Sequence, residues 1–311
     1  MDIFVALIML VAGFVALVKG ADWFVDGTSS IAAKLGIPQL IIGLTIVAMG
    51  TSAPEAAVSI TASFTGNADI TIGNILGSNI LNILVILGLA ALFTSIKVAK
   101  STIRVEIPFV IGISAVILLL GRDGMVSRLD GVILWVLFLV YMGYLFWMAK
   151  KGNADDVEEI NTNRAIWKSV LLGIIGLVLI IFGSDFAVEG ASRLAQMMGL
   201  SERLIGLTIV ALGTSLPELC TSVVAARRGN ADIAIGNIVG SNIFNILFVV
   251  GTAALVNPIP FAGAFITDSL IAIATAALLL LLTLRHKKLT RTGGIIMLVC
   301  YVAYFFVLLY R

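Results

Sequence analysis

The sequence predicts an all-α polytopic membrane protein, with ten transmembrane helices arranged as two five-helix repeats of inverted topology. Two observations lead there: a composition too apolar for water, and a pair of motifs that recur at one spacing. Of 311 residues 60% are hydrophobic and 12% charged, with a mean hydropathy of +1.11, which excludes a water-soluble globule. The longest polar interval is KKGNADDVEEINTNR, Lys150 to Arg164, so no separate soluble domain is expected. Residues 1–149 form a first half, 150–164 a linker and 165–311 a second half, together one structural unit.

About 20 apolar residues span a hydrocarbon core of roughly 30 Å. By that measure ten segments stand out, at 3–33, 38–64, 69–94, 103–120, 128–149, 165–196, 201–227, 232–256, 264–284 and 292–310. Charged or Gly/Pro punctuation separates them, as at Lys97 to Arg104 and Asn257-Pro258-Ile259-Pro260. The first begins at Ile3 with no basic stretch before it and reads as a retained helix rather than a signal peptide. Lys and Arg in short loops set orientation. With the N-terminus outside, inner loops hold fourteen of them (34, 97, 100, 104, 150, 151, 164, 168, 227, 228, 285, 287, 288 and 291) and outer loops five (122, 128, 193, 203 and 311). Both termini are therefore expected outside.

The repeats carry the second observation. GLTIVAMGTSAPE at Gly43 to Glu55 recurs as GLTIVALGTSLPE at Gly206 to Glu218, and GNADITIGNILGSNILNIL at Gly66 to Leu84 recurs as GNADIAIGNIVGSNIFNIL at Gly229 to Leu247. Each copy lies 163 positions on, as 218 does from 55, and the same offset pairs GADWFVDG at Gly20 with GSDFAVEG at Gly183. Five helices is an odd number, so the second half begins on the opposite side of the membrane, as in many secondary transporters.

Pro54 and Pro217 lack an N–H, which deprives the carbonyls of Gly50 and Gly213 of helical partners and pushes Ala53 and its mate out of helical conformation. In lipid such carbonyls need a polar neighbour. Glu55 and Glu218 lie near mid-segment, where an ionised side chain costs at least ~2.5–3.5 kcal/mol. Thr51 and Ser52 share a helical face with Glu55 and Ala48, as Thr214 and Ser215 do with Glu218 and Ala211. In the second motif Asn74, Ser78 and Asn82 make one stripe, as do Asn237, Ser241 and Asn245, while Gly73/Gly77 and Gly236/Gly240 allow close helix approach.

Carboxylate, hydroxyl, amide and backbone oxygens are hard donors, suited to Ca2+, Na+, Mg2+ or Mn2+. The two cysteines, Cys220 and Cys300, and the single His286 offer no zinc or copper site. Two negative charges in an empty cavity make unloaded turnover expensive, which favours ion exchange over one-way transport. An intramembrane hydrolase using Glu55 and Glu218 as an acid/base pair leaves the Ser, Thr and Asn stripes idle, and a channel needs a continuous pore. Asp22, Asp26, Asp185 and Glu189 belong at an interface, and Asp155 to Glu159 lacks the pattern of a calcium-binding loop.

At GTSAPE, GTSLPE, GNILGSNILN and GNIVGSNIFN the sequence resembles the cation/calcium antiporter superfamily, most closely its prokaryotic sodium/calcium exchangers. The resemblance implies Ca2+ for Na+ antiport by alternating access, with the first and sixth helices sliding. It implies no cofactor, no protein or nucleic-acid partner, and a place in a prokaryotic inner membrane. Carried over by position, Glu55 and Glu218 are shared cation carboxylates, and Thr51 and Thr214 give backbone oxygens to Ca2+. Ala48, Thr51, Ser52 and Ser78 line one Na+ position, Ala211, Thr214, Ser215 and Ser241 another, and Asn82 and Asn245 complete the centre. Potassium-dependent members carry Asp where this chain has Asn245, which argues against a K+ requirement. Protons are the second choice of counter-ion, since the proton-coupled branch lacks the TS-PE pattern.

Overall fold

The structure, a computed structural model, describes residues 2–151, 164–199, 209 and 211–309. The Asp155 to Glu159 cluster, most of the expected linker, and residues 206–208 and 210 of the second motif copy lie outside the described residues.

The chain runs through α1 (Asp2–Leu35), then α2 (Gln39–Thr51) and α3 (Ala53–Phe64), which meet at a bend of 51°. It continues with α4 (Ile70–Phe93), α5 (Thr102–Asp123), α6 (Arg128–Lys151) and α7 (Ile166–Met197). The short α8 (Ala211–Gly213) and α9 (Leu216–Arg227) precede α10 (Ala231–Val256), α11 (Gly263–Leu284) and α12 (Arg291–Leu309). Among the described residues seven helices are long and apolar enough to cross a membrane, or eight if α2 and α3 count as one span. The all-helical architecture carries one small addition. Four two-residue strands, β1 (Ile96–Lys97), β2 (Met125–Val126), β3 (Ile259–Pro260) and β4 (Lys288–Leu289), pair antiparallel as β1 with β4 and β2 with β3. They lie in the breaks between helices, where extended backbone would otherwise leave its polar groups unpaired.

Burial separates the bundle into layers. In the apolar window of α10, 94% of residues are buried, and in that of α4 78%, against 22% for α1 and for α6. Thus α4 and α10 form the centre, while α1 and α6 present side chains such as Phe4, Val11, Leu139 and Val140 outward, as a lipid-facing layer does.

The 163-residue offset governs local structure as well as sequence. The π-helical turn Asn82–Leu87 recurs at Asn245–Val250, β1 recurs as β3 and β2 as β4. Gly66 and Gly229 both take a left-handed conformation, φ +83° and +85°, each ending a helix where only glycine fits without strain.

Helices α1 and α7 pack antiparallel, because the partner number falls as the α1 number rises. Gly13 meets Gly183 and Ala187, Gly20 meets Gly176 and Ile180, and Gly27 meets Ser169 and Gly173. The glycines recur every seven residues, which keeps one small-residue face along both helices. A Cβ on Gly20 would lie 2.7 Å from the Gly176 carbonyl oxygen and 2.8 Å from the Ile180 nitrogen, so any side chain there must move backbone. Gly20→Leu is expected to destabilise the protein by about 1–3 kcal/mol or more, read as a lower thermal midpoint in detergent. Gly143→Leu, on an exposed glycine of α6, should leave the midpoint in place.

Candidate functional site

The bend between α2 and α3 is where the site begins. The turn residue is Ser52, at φ −81° and ψ 7°, and Ala53 already belongs to α3. This corrects the expectation that Ala53 leaves helical conformation: Pro54 falls in the first turn of the new helix, where its missing N–H has no helical partner to lose. In the second half Ser215, at φ −94° and ψ 4°, plays the same part before Pro217. Breaking the helix at this point puts Glu55 and Glu218 in the first turns of α3 and α9, where unpaired N–H groups and the helix dipole favour a negative charge. The carbonyl of Gly213, four residues before Pro217, accepts a hydrogen bond of 2.7 Å from the Ser184 hydroxyl of α7. The polar neighbour expected for that carbonyl is thus a side chain from another helix.

From these two first turns the carboxylates reach across the repeat. Ser52 Oγ donates to Glu218 Oε1 at 2.8 Å, and Ser215 Oγ donates to Glu55 Oε1 at 3.1 Å. Ser78 Oγ lies 3.4 Å from Glu55 Oε1 and 3.2 Å from Ser215 Oγ. Each half therefore holds the other half's glutamate. Thr51 Oγ1 donates to Asn237 Oδ1 at 3.0 Å, and Asn237 Nδ2 donates to Ser222 Oγ at 2.9 Å. Asn74 Nδ2 makes the matching bond to Ser59, at 3.0 Å, and so faces α3. Ser241 breaks the symmetry: its Oγ donates to the Ala48 carbonyl at 3.4 Å.

Below this layer α4 and α10 cross through four asparagines. Asn79 and Asn242 each donate to the other's backbone carbonyl, at 3.2 and 3.1 Å. Asn82 donates to Asn242 Oδ1 and Asn245 to Asn79 Oδ1, both at 3.1 Å. Spending their N–H groups this way turns the remaining oxygens of Asn82 and Asn245 inward as acceptors. Glu55 Oε2, Glu218 Oε2, Asn82 Oδ1 and Asn245 Oδ1 are all buried with no hydrogen-bond partner among the described residues. Buried acceptors without donors are costly, and these four come from both halves, two from each.

Ala48 is buried in α2, and Ala211 opens α8. Thr214 is half-buried and lines a cavity of about 700 Å3 with Pro54, Asp185 and Glu189. A second cavity, of about 560 Å3, reaches Ser78 and Asn74 between α4, α11 and α12, with Asp268 in its wall. Asp22 and Asp26 stand apart, paired with Arg228 at 2.5 Å and Arg164 at 2.8 Å. Gly236 and Gly240 do press against the backbone of α2 at Leu40, Gly43 and Leu44. The segment equivalent to that stretch of α2 in the second half falls mostly outside the described residues.

Sequence reasoning missed Asn79, Asn242, Ser59, Ser222 and Ser184. The two asparagines sit one residue from Ser78 and Ser241, off the stripe that the fourfold spacing picks out. Their own recurrence at 163 positions was the available signal.

The sodium/calcium exchanger protein family matches this chain over residues 5–147 and 168–310. CaxA of Alkalimonas amylolytica is 43% identical, covering 98% of both chains. The sodium/calcium exchanger MaX1 of Methanosarcina acetivorans is 32% identical over 97% of this chain and 98% of its own. Among solved structures, the sodium-calcium exchanger NCX_Mj soaked with 10 mM Na+ superposes with a TM-score of 0.85 at 35% identity, covering 97% of this chain and 98% of that one.

Proposed function

Since this chain belongs to the sodium/calcium exchanger family, we propose that it exchanges Ca2+ for Na+ across a membrane through the Glu55/Glu218 site. It is an integral membrane protein and a transporter rather than an enzyme. The observation that carries the reading is the set of four unpartnered acceptor oxygens drawn from both halves around two buried carboxylates. Two negative charges are neutralised by one Ca2+ or by two or more Na+ ions, and a shared site cannot hold both loads at once. An empty site retains its full desolvation penalty, so the loaded forms cross the membrane and the two ions are coupled.

The twelve sequence-derived residues divide the work. Glu55 and Glu218 supply charge, Asn82 and Asn245 supply neutral oxygens, and Ser52, Ser215 and Ser78 orient the carboxylates. Thr51, Thr214, Ala48, Ala211 and Ser241 line the flanks, where backbone oxygens complete the Na+ positions. The cavities that reach Ser78 and Thr214 give two approaches to the site.

In this reading α2 with α3, and α8 with α9, each make one broken span, giving ten spans in two inverted halves, 1–149 and 165–311, that form one structural unit. Support comes from the strand pairs: β1 and β4 follow the third and ninth spans, which an inverted ten-span topology leaves on the same side. Lys150, Lys151 and Lys168 each lie over an aromatic ring, of Phe146, Trp147 and Trp167, as residues at a membrane interface do. With the basic loops inside, both termini face outward and the membrane is a prokaryotic inner membrane. Transport proceeds by alternating access, with α1 and α7 as the sliding helices.

Proteoliposome uptake of 45Ca2+ tests the proposal. Loading the vesicles with Na+ and diluting them into Na+-free medium is expected to drive uptake. An imposed pH gradient without Na+ should not. Uptake that follows the pH gradient and ignores Na+ would make the protein a proton-coupled antiporter instead.

A further inference from the structure

A second buried carboxylate site lies outside the exchange pathway. Glu106 is fully buried at the start of α5, where Thr102–Glu106 forms a π-helical turn. Such turns are frequent at functional positions. Two of the other π turns here begin at Asn82 and Asn245, and a third, Gly43–Val47, runs into the Ala48 to Glu55 segment. The turn at Thr102–Glu106 has no counterpart: 163 positions on, Ser269 stands within the regular helix α11. Nothing in the repeat requires it.

Around Glu106 the polar atoms are only half paired. Tyr144 of α6 donates to Glu106 Oε1 at 2.7 Å. Glu106 Oε2, Thr102 Oγ1 and Tyr141 Oη are buried with no hydrogen-bond partner among the described residues. Thr102 lies one turn from the carboxylate on the same face, and Tyr141, one turn before Tyr144 on α6 and within electrostatic reach of Glu106, stacks on Phe109 with ring centroids 5.2 Å apart. No ion pair reaches Glu106 among the described residues, and Arg104 of the same turn is exposed. Pro108, two residues on, leaves the turn short of a backbone donor.

We propose that Glu106, Thr102 and Tyr141 form a binding site for one monovalent alkali cation, Na+, separate from the exchange site. The donors are hard oxygens. One carboxylate neutralises one monovalent charge, whereas a divalent ion would leave a net positive charge buried. A proton would join Glu106 to one neighbour and leave another oxygen unpaired; an alkali ion takes all three. None of the exchange-site residues takes part.

The test uses the purified full chain carrying Glu55→Gln and Glu218→Gln, so that the exchange site has lost both charges and its failure or success has no bearing on the result. The thermal midpoint is followed as NaCl replaces choline chloride at constant ionic strength. Na+ is expected to raise the midpoint by about 3 °C, and adding Glu106→Gln should abolish that rise. Thr102→Val and Tyr141→Phe, which each remove only a hydroxyl, should weaken it, and they decide the matter if Glu106→Gln does not fold. An equal Na+ response with and without Glu106→Gln overturns the site. So does a midpoint that follows pH through Glu106 and ignores Na+, which would assign a proton there.

Discussion

Glu55→Gln is expected to abolish exchange while leaving the protein folded. A unit charge 4 Å from another at an effective dielectric near 20 contributes about 4 kcal/mol, and a divalent ion feels this twice. Removing one of two carboxylates should therefore weaken Ca2+ binding by at least about a thousandfold. The fold is not at risk for a specific reason. The Gln side-chain oxygen still accepts from Ser215 and Ser78, which hold Glu55 Oε1, and a desolvated charge is removed rather than created. The pairing is reciprocal, so Glu218→Gln, whose oxygen keeps the Ser52 bond, should lose as much. The check is 45Ca2+ uptake together with the ion-free thermal midpoint: activity vanishes and the midpoint holds or rises. Residual exchange within tenfold of wild type, on the order of 1.4 kcal/mol, would show that the two carboxylates do not share one ion.

Asn245→Asp has the second largest expected effect, and its sign is mixed. Asn245 donates to Asn79 Oδ1 at 3.1 Å, and its own Oδ1 is free to face an ion. A carboxylate keeps the second function and destroys the first, leaving Asn79 Oδ1 without a donor against a negative oxygen, at a cost of about 1–3 kcal/mol. It also raises the central charge from two to three, so the Ca2+-loaded form is no longer neutral. An added monovalent cation restores the balance. Uptake by Asn245→Asp in K+-free medium should fall and recover by about tenfold with K+, while wild type ignores K+. A variant as active as wild type and indifferent to K+ would remove Asn245 from the charge balance.

Much of this was legible in the sequence because two signals there are strong. Apolar length set the helix limits, and the structure starts and ends α4, α6, α7, α10 and α11 within two residues of the expected bounds. Duplication singled out Glu55 and Glu218, since a carboxylate at mid-membrane is too costly to recur by accident. What stayed hidden has a common cause. Stripe arguments sort residues by faces of one helix, and they lose force where a helix is surrounded. Asn79 and Asn242 lie off the Ser78 and Ser241 stripes, yet α10 is buried on nearly every side, so each helix reaches its partner through a face the spacing did not mark. Ser184 was illegible for another reason: it serves a carbonyl on a different helix, outside the reach of any single-helix stripe. At the matching place in the first half stands Ala21, so duplication gave no hint. Glu106 lay within the expected 103–120 segment, and the position 163 residues on is Ser269, so duplication did not single it out.

In the proposed mechanism one site, built by both halves, holds either Ca2+ or Na+ but never both. Equilibrium binding of 45Ca2+ to the purified protein, titrated with Na+ at constant ionic strength, tests it most directly. Complete displacement is expected, with a steep dependence and a Hill coefficient of about two or more, because at least two monovalent ions must replace one divalent charge. Bound Ca2+ that persists unchanged at saturating Na+ would mean two independent sites, and would contradict it.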